Sequence, residues 1–308
     1  MIVDYIDEHS DEFGIEPICR VLTEAGAKIA PSTYHARKSR PMSARAARDA
    51  VMLPLLMALW VTNKKVYGAH KLWKAARRDG HDIGRDQVAR LMRDLGIRGI
   101  TRRGNRVFTT RQDPANVRAI DLVKRKFDAA SPDRLWVTDI TYVKTRAGTA
   151  YVCFIVDVYS RAIVGWRVAG HMKTSMVLDA LEMARRSRGG QRLEGLIAHS
   201  DAGSQFTSLR FTERLDELGA RPSVGTVADS YDNALAENVN GLYKAECVYG
   251  PDTTGWDGVG DLELATLSWV HWWNNDRLHT HCGDIPPAEY EAAYHAANEP
   301  SPTGVGNQ

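Results

Sequence analysis

Three runs rich in β-branched and aromatic residues, LWVTDITYV (135–143), AYVCFIVDVYS (150–160) and RAIVGWRVAG (161–170), follow one another with breaks only near Gly148 and at Ser160-Arg161. Runs of this length bounded by turn residues predict a meander of three strands. The apolar period then lengthens to that of a helix over roughly 174–186, and again over about 208–218. Short apolar runs in GLIAHSD (195–201) and RPSVGT (221–226) predict two more strands, and a last helix is expected through YDNALAENVNGLYKAE (231–246). Strands followed by alternating helices and strands predict an α/β domain with a mixed sheet and helices on both faces.

Ahead of this domain the spacing is helical. Pro17 suits a first helical turn, Ile18, Val21, Leu22 and Ala25 repeat at helical intervals, Gly26 can close the helix, and Ser32 reads as the N-cap of a short basic helix. The pattern recurs: Ala69, Leu72, Trp73 and Ala76 mark one amphipathic helix, DGHDIG (79–84) breaks it, and Val88, Leu91, Met92 and Leu95 mark a second that ends near Gly96. Each pair resembles a helix-turn-helix unit, although a small helical bundle with no nucleic-acid role gives the same pattern. Between the pairs, AVMLPLLMALW (50–60) is apolar and holds Pro54, which is expected to kink or end its helix. The organisation expected is thus helical over 1–42 and 43–100, a basic linker over 101–130, the α/β domain with C-terminal helices over 131–295, and a flexible tail over 296–308.

The chain of 308 residues carries a formal charge of only +2, but the charge is divided. Residues 1–130 hold 25 Lys and Arg against 15 Asp and Glu, and the rest hold 15 against 23. Residues 62–126 are the most basic, 18 against 6, the footprint of a segment that lies on phosphates. Arg85, Arg90 and Arg93 decorate the second helix of the second pair, and Arg102 and Arg103 open the linker. The four cysteines (Cys19, Cys153, Cys247, Cys282) form no CxxC pair, which fits a reducing cytosol, and no apolar stretch is long enough to suggest a membrane span. His271, His279, His281 and Cys282 could bind zinc, but their spacing fits no standard site. Trp269, Trp272 and Trp273 read as packing residues more than as base-stacking ones.

Against this background the acidic residues of the apolar strands are the anomalies. Asp139 sits mid-strand and Asp201 directly follows LIAHS, with no basic residue in either run. A carboxylate there needs compensation, and a hard divalent cation is the economical one. On the last helix Asn233, Glu237, Asn240 and Lys244 fall within an arc of about 60°, opposite Leu235, Val239 and Leu242. A solvated face explains that stripe; a ligand face explains it equally.

Asp201 and Glu237 have 35 residues between them, Lys244 lies seven after the glutamate, and the flanking words are WVTDITYV, HSDAGSQFTS, YDNALAENVNGLYKAE and WWNNDRLHTHCGDIPPAEYE. Together with VYGAHKLWKAARRDG and VARLMRDLGIRG in the front half, these closely resemble the second open reading frame of IS3-family insertion-sequence transposases, over nearly the whole chain. The resemblance implies an α/β fold, an RNase H-like catalytic core with a mixed five-stranded sheet, preceded by a small all-helical, helix-turn-helix-like DNA-binding region. It implies a DDE transposase that cleaves DNA strands at insertion-sequence ends and transfers them, with Asp139, Asp201 and Glu237 as catalytic and metal-binding residues. The cofactor implied is Mg2+, two ions in the active complex, with Mn2+ able to substitute. Lys244 would contact a phosphate of the DNA end, and Arg85, Arg90, Arg93, Arg102 and Arg103 would bind DNA. Asn233, His199 and Gln205 would support the site, with helix-terminal or packing roles as alternatives for Asn233 and His199. Partners implied are double-stranded DNA (inverted-repeat ends and target), further copies of the chain as a homo-oligomer on DNA, and the product of an upstream frame, in the bacterial cytoplasm at the nucleoid and with no membrane role. A non-catalytic DNA-binding regulator and an RNase H-type nuclease are the rival readings.

Overall fold

In the computed structural model of the chain, the helical spacing of the first forty residues becomes three helices, α1 (Ile2–Phe13), α2 (Ile15–Glu24) and α3 (Pro31–Ser39). The structure describes residues 2–101, 121–123, 128–201, 203–225 and 234–298, which divide into two units, Met1–Leu55 and Leu56–Gln308. In the first unit Ile6, Ile18, Cys19 and Tyr34 close a small core, with Val3, Ile15, Leu22 and Ile29 packed around it. Val21, counted in the apolar stripe of α2, is 62% exposed, because this core closes on Ile18 and Leu22 instead. α3 begins at Pro31, with Ala30 flanking it, rather than being capped by Ser32. Proline at the first helical position has no N–H to leave unsatisfied, and its φ is already helical. α4 (Ala44–Thr62) runs unbroken through Pro54. Pro54 lies on the exposed side of that helix, where water can serve the carbonyl that its missing N–H leaves free.

In the second unit α5 (Ala69–Arg78) and α6 (Arg85–Asp94) form the second helical pair. Leu72, Ala75, Ala76, Val88, Leu91 and Met92 are buried, and the Trp73 indole donates to the carbonyl of Ile83 across the turn at 2.9 Å. The sheet follows. β1 (Leu135–Thr145), β2 (Gly148–Asp157) and β3 (Ile163–Ala169) are the expected antiparallel meander, and β4 (Ile197–Ser200) and β5 (Arg221–Val224) add parallel to the free edge of β1, giving the order β3-β2-β1-β4-β5. β1 is therefore central. Side chains of a strand alternate between faces, and β2 uses both. Cys153 and Ile155 join a core with Met176, Val177, Ala180 and Leu181 of α7 (Thr174–Ser187) and with Phe211 and Leu215 of α8 (Leu209–Glu217). Gly165 lets α7 approach, since a Cβ there would lie 2.2 Å from the carbonyl oxygen of Ala180.

The opposite face carries α9 (Ala234–Tyr243) and α10 (Val259–Asn275). Phe154 of β2 meets Tyr243 and Trp269 edge-on or tilted, with centroids 5.0 and 5.7 Å away, and Trp273 packs on Trp269 at 4.9 Å. All three tryptophans of α10 are buried core residues. α11 (Pro287–Asn298) ends the described chain and meets α5 through an Arg78–Glu289 ion pair, while the Leu278 amide donates to the Tyr67 hydroxyl at 2.7 Å. No helix among the described residues is long and apolar enough to cross a membrane.

Candidate active site

Parallel pairing of β1 with β4 ends at Thr138↔Ser200, so the next residues of the two strands, Asp139 and Asp201, are neighbours where β4 stops. Above them lies α9, which packs on β1 with Ala236, Val239, Asn240 and Tyr243 buried, and Glu237 exposed beside that buried face. The Asp139 carboxylate is held at both oxygens: Oδ1 accepts from the Ile140 amide at 2.8 Å and Oδ2 accepts from Asn240 Nδ2 at 2.9 Å. Burial, then the negative charge of Asp201, push the Asp139 carboxyl up to about 8, and Glu237 acts in the same direction. The two hydrogen bonds oppose that shift without cancelling it. Burial also raises Asp201, against the Gly203 amide that donates to its Oδ1 at 3.1 Å and the nearby His199.

Lys244 does not continue the α-helix. It opens a π-helical turn, Lys244–Val248, in which the Tyr249 amide reaches back to the Lys244 carbonyl at 2.8 Å. Its ammonium lies over the Tyr142 ring, 4.7 Å from the centroid. Burial lowers its pKa while the negative charge of Asp139 opposes. The π turn is anchored by Glu246, which forms a buried, bidentate pair with Arg277 at 2.6 Å, roofed by the Trp273 ring. Glu246 and Arg277 stand in two of the motif words, yet their spacing marks neither as a site residue.

The other expected residues take varied positions. His199 is buried between β4 and β5, its Nδ1 sharing a hydrogen bond with Ser223 Oγ at 2.9 Å. Gln205 donates from Nε2 to the Met172 carbonyl at 3.1 Å, and its Oε1 lies beside Gly203, next to Asp201. Arg85 pairs with Asp86 at 3.0 Å and Arg90 with Asp94 at 3.2 Å on α6, where Arg93 is exposed. Asn233, Arg102 and Arg103 lie outside the described residues. Asn240 is the residue that sequence reasoning misses. The pattern puts it on the polar stripe, and its spacing of three from Glu237 is the available signal.

The zinc possibility gives way to packing. His279 is buried and neutral, pushed down to about 2 by burial, with Nε2 on the Trp273 carbonyl; His281 Nε2 meets the Tyr159 carbonyl at 3.0 Å; Cys282 donates to the Ser160 carbonyl. Among the described residues no three Asp, Glu, His or Cys side chains close on a single point. Two ions shared by three carboxylates need only a pair of carboxylates each, the rest of the shell coming from water and phosphate oxygens. Asp139, whose proton affinity Asp201 and Glu237 both raise, with Lys244 beside it, belongs to an oxygen donor set suited to hard divalent cations.

Two family models described as integrase core domain match residues 129–230 and 218–287, and one described as HTH-like domain matches 47–105. The chain is 50% identical over 274 residues to a putative transposase for insertion sequence element IS986/IS6110 of Mycobacterium tuberculosis, covering 88% of this chain and 98% of the other. It is 46% identical over 297 residues to the transposase for IS629 of Shigella sonnei (95% and 96% covered), and 29% identical to that for IS3A of Escherichia coli K12 (93% and 97%). Among solved structures it is similar to the HTLV-2 integrase catalytic core domain in complex with magnesium, at 17% identity, 53% of this chain, 99% of that one and TM-score 0.42. That overlap is too loose to bear on function.

Proposed function

Because the chain belongs to the IS3-family insertion-sequence transposases, DDE enzymes with an integrase core, we propose that Asp139, Asp201 and Glu237 are the acidic triad of its RNase H-like core. They would hold two Mg2+, for which Mn2+ can substitute. Bound there, the ions supply an activated oxygen nucleophile and neutralise charge building on a phosphate. The chain's own residues do the rest. Ile140 and Asn240 fix the Asp139 carboxylate so that its remaining lone pairs point one way. Lys244, half-buried and beside Asp139, offers its ammonium to a phosphate oxygen of the bound end. The exposed Arg85 and Arg93, with Arg90, Arg102 and Arg103, fix the duplex through its phosphates.

The reaction class is in-line phosphoryl transfer in two stages. Water attacks the phosphodiester at the element's end, the bond from phosphorus to the 3′ oxygen breaks, and that oxygen leaves as a hydroxyl. The freed 3′ hydroxyl then attacks a second phosphodiester, forming the new strand joint as another 3′ oxygen departs. No protein nucleophile is required. Two ends must meet for this, so the active form is a homo-oligomer on DNA at the nucleoid, in the bacterial cytoplasm, with the product of an upstream frame as a further partner.

The observation that supports this reading is at Asp139 of β1, whose carboxyl feels the negative charges of Asp201, after β4, and of Glu237, on α9. The test supplies duplex carrying the ends of the encoding element, and separately an RNA–DNA hybrid, with Mg2+. Strand cleavage at the duplex end, lost in Asp139→Asn, Asp201→Asn and Glu237→Gln, supports it. Cleavage of the hybrid alone, or cleavage surviving all three substitutions, overturns it.

A further inference from the structure

Asn240 is only 8% exposed, on the same buried face of α9 as Ala236, Val239 and Tyr243. An amide on such a face is costly: the Oδ1 atom has no hydrogen-bond partner among the described residues, and an unpaired buried acceptor loses its hydration without compensation. A leucine would fill similar space without that cost. The amide nitrogen explains the exception, because it spans from α9 to the middle of β1 and ends on Asp139 Oδ2. One helical turn earlier on the same helix stands Glu237.

We propose that Asn240 is a positioning residue: it fixes the orientation of the Asp139 carboxylate for divalent-ion binding and sets the height of α9 over β1, and with it the reach of Glu237. This rests on the reading of Asp139 and Glu237 as metal ligands. With the Ile140 amide on one oxygen and Asn240 on the other, the Asp139 carboxylate cannot turn about its own axis, so its orientation is settled before an ion arrives. The same bond takes up one negative lone pair on a carboxylate that two acidic neighbours oppose. Asn240 Oδ1, without a partner among the described residues, fits as well, since water bound to a divalent ion is a donor of the class it lacks. Partners that orient metal-binding carboxylates are worth roughly 10- to 100-fold in metal affinity.

The measurement is binding of Mn2+ alone to the full chain without DNA, followed by the electron paramagnetic resonance of free Mn2+, for wild type, Asn240→Leu, Asn240→Ser and Asp139→Asn. Thermal melts establish that each variant is folded at the assay temperature; if Asn240→Leu is not, Asn240→Ser carries the measurement. We expect Asn240→Leu to weaken Mn2+ binding by about 10-fold or more, Asn240→Ser to weaken it less through its hydroxyl donor, and Asp139→Asn to abolish it. A purely structural residue would lower the melting temperature and leave the Mn2+ midpoint of the folded variant where it was. Unchanged Mn2+ binding in a folded Asn240 variant, with binding lost in Asp139→Asn, overturns the role of Asn240 and leaves the triad standing. Unchanged binding in both overturns the triad as well.

Discussion

Replacing Asp139 by asparagine should make the metal-free protein more stable at neutral pH while ending its activity. Burial and the facing acids hold the Asp139 carboxyl at about 8, against 3.8 for an ordinary aspartate. The folded chain thus keeps a proton that the unfolded chain has lost, so the carboxyl costs stability as pH rises from about 4, and the loss levels off above about 8. At about 1.4 kcal/mol per pH unit the ceiling across that interval is roughly 6 kcal/mol. Asp139 keeps some contact with solvent, and electrostatics at such sites follow an effective dielectric nearer 20 than 4, so about 2 kcal/mol is the expected size at pH 8. The substituted amide has no charge to bury: its oxygen can accept from the Ile140 amide, and its NH2 group can donate to Asn240 Oδ1 once the Asn240 amide is turned over. For a unit of this size 2 kcal/mol is a rise of about 4–8 °C in melting temperature. Melts in EDTA from pH 5 to 8.5 should show the variant gaining on wild type as pH rises, and added Mg2+ should raise wild type alone. A difference that stays constant across that range, or a variant less stable than wild type at pH 8, would refute the idea that this carboxylate is held against its own electrostatics.

Three further outcomes are expected. Glu246→Gln leaves Arg277 buried and unpaired under Trp273, and should cost about 3–5 kcal/mol, read by urea unfolding. Lys244→Ala should weaken binding of end duplex and lower the slope of log affinity against log salt by about 1, while Lys244→Arg retains most of it. Arg85→Ala and Arg93→Ala should each lower that slope by a similar step, equally for end and unrelated duplex, because exposed arginines on α6 would meet phosphates and not bases.

What the sequence by itself determined is what depends on neighbours along the chain. Strand alternation, helical spacing and turn residues are local, and they sufficed for the meander, for α7 and α8, and for the two added strands. The carboxylates were legible for a related reason: Asp139 in an apolar strand and Asp201 at the end of another are out of place wherever the strands go. Motif words and their order did the rest for the family.

Tertiary structure alone decided how those residues meet. Asn240 looked like one more polar residue of a solvated stripe, because the periodicity of α9 cannot say that β1 lies against that edge of it; its partner is 101 residues away. At Lys244 the α-helix gives way to a π turn, closed by the Tyr249 amide on the Lys244 carbonyl, with Glu246 of the same turn buried on Arg277, 31 residues on. Pro54 stayed inside a helix because its face is exposed, and His279 and His281 of the C-terminal region meet backbone carbonyls. A local pattern sets which conformation a segment prefers; which of its polar atoms are buried, and against what, depends on residues far away in the chain.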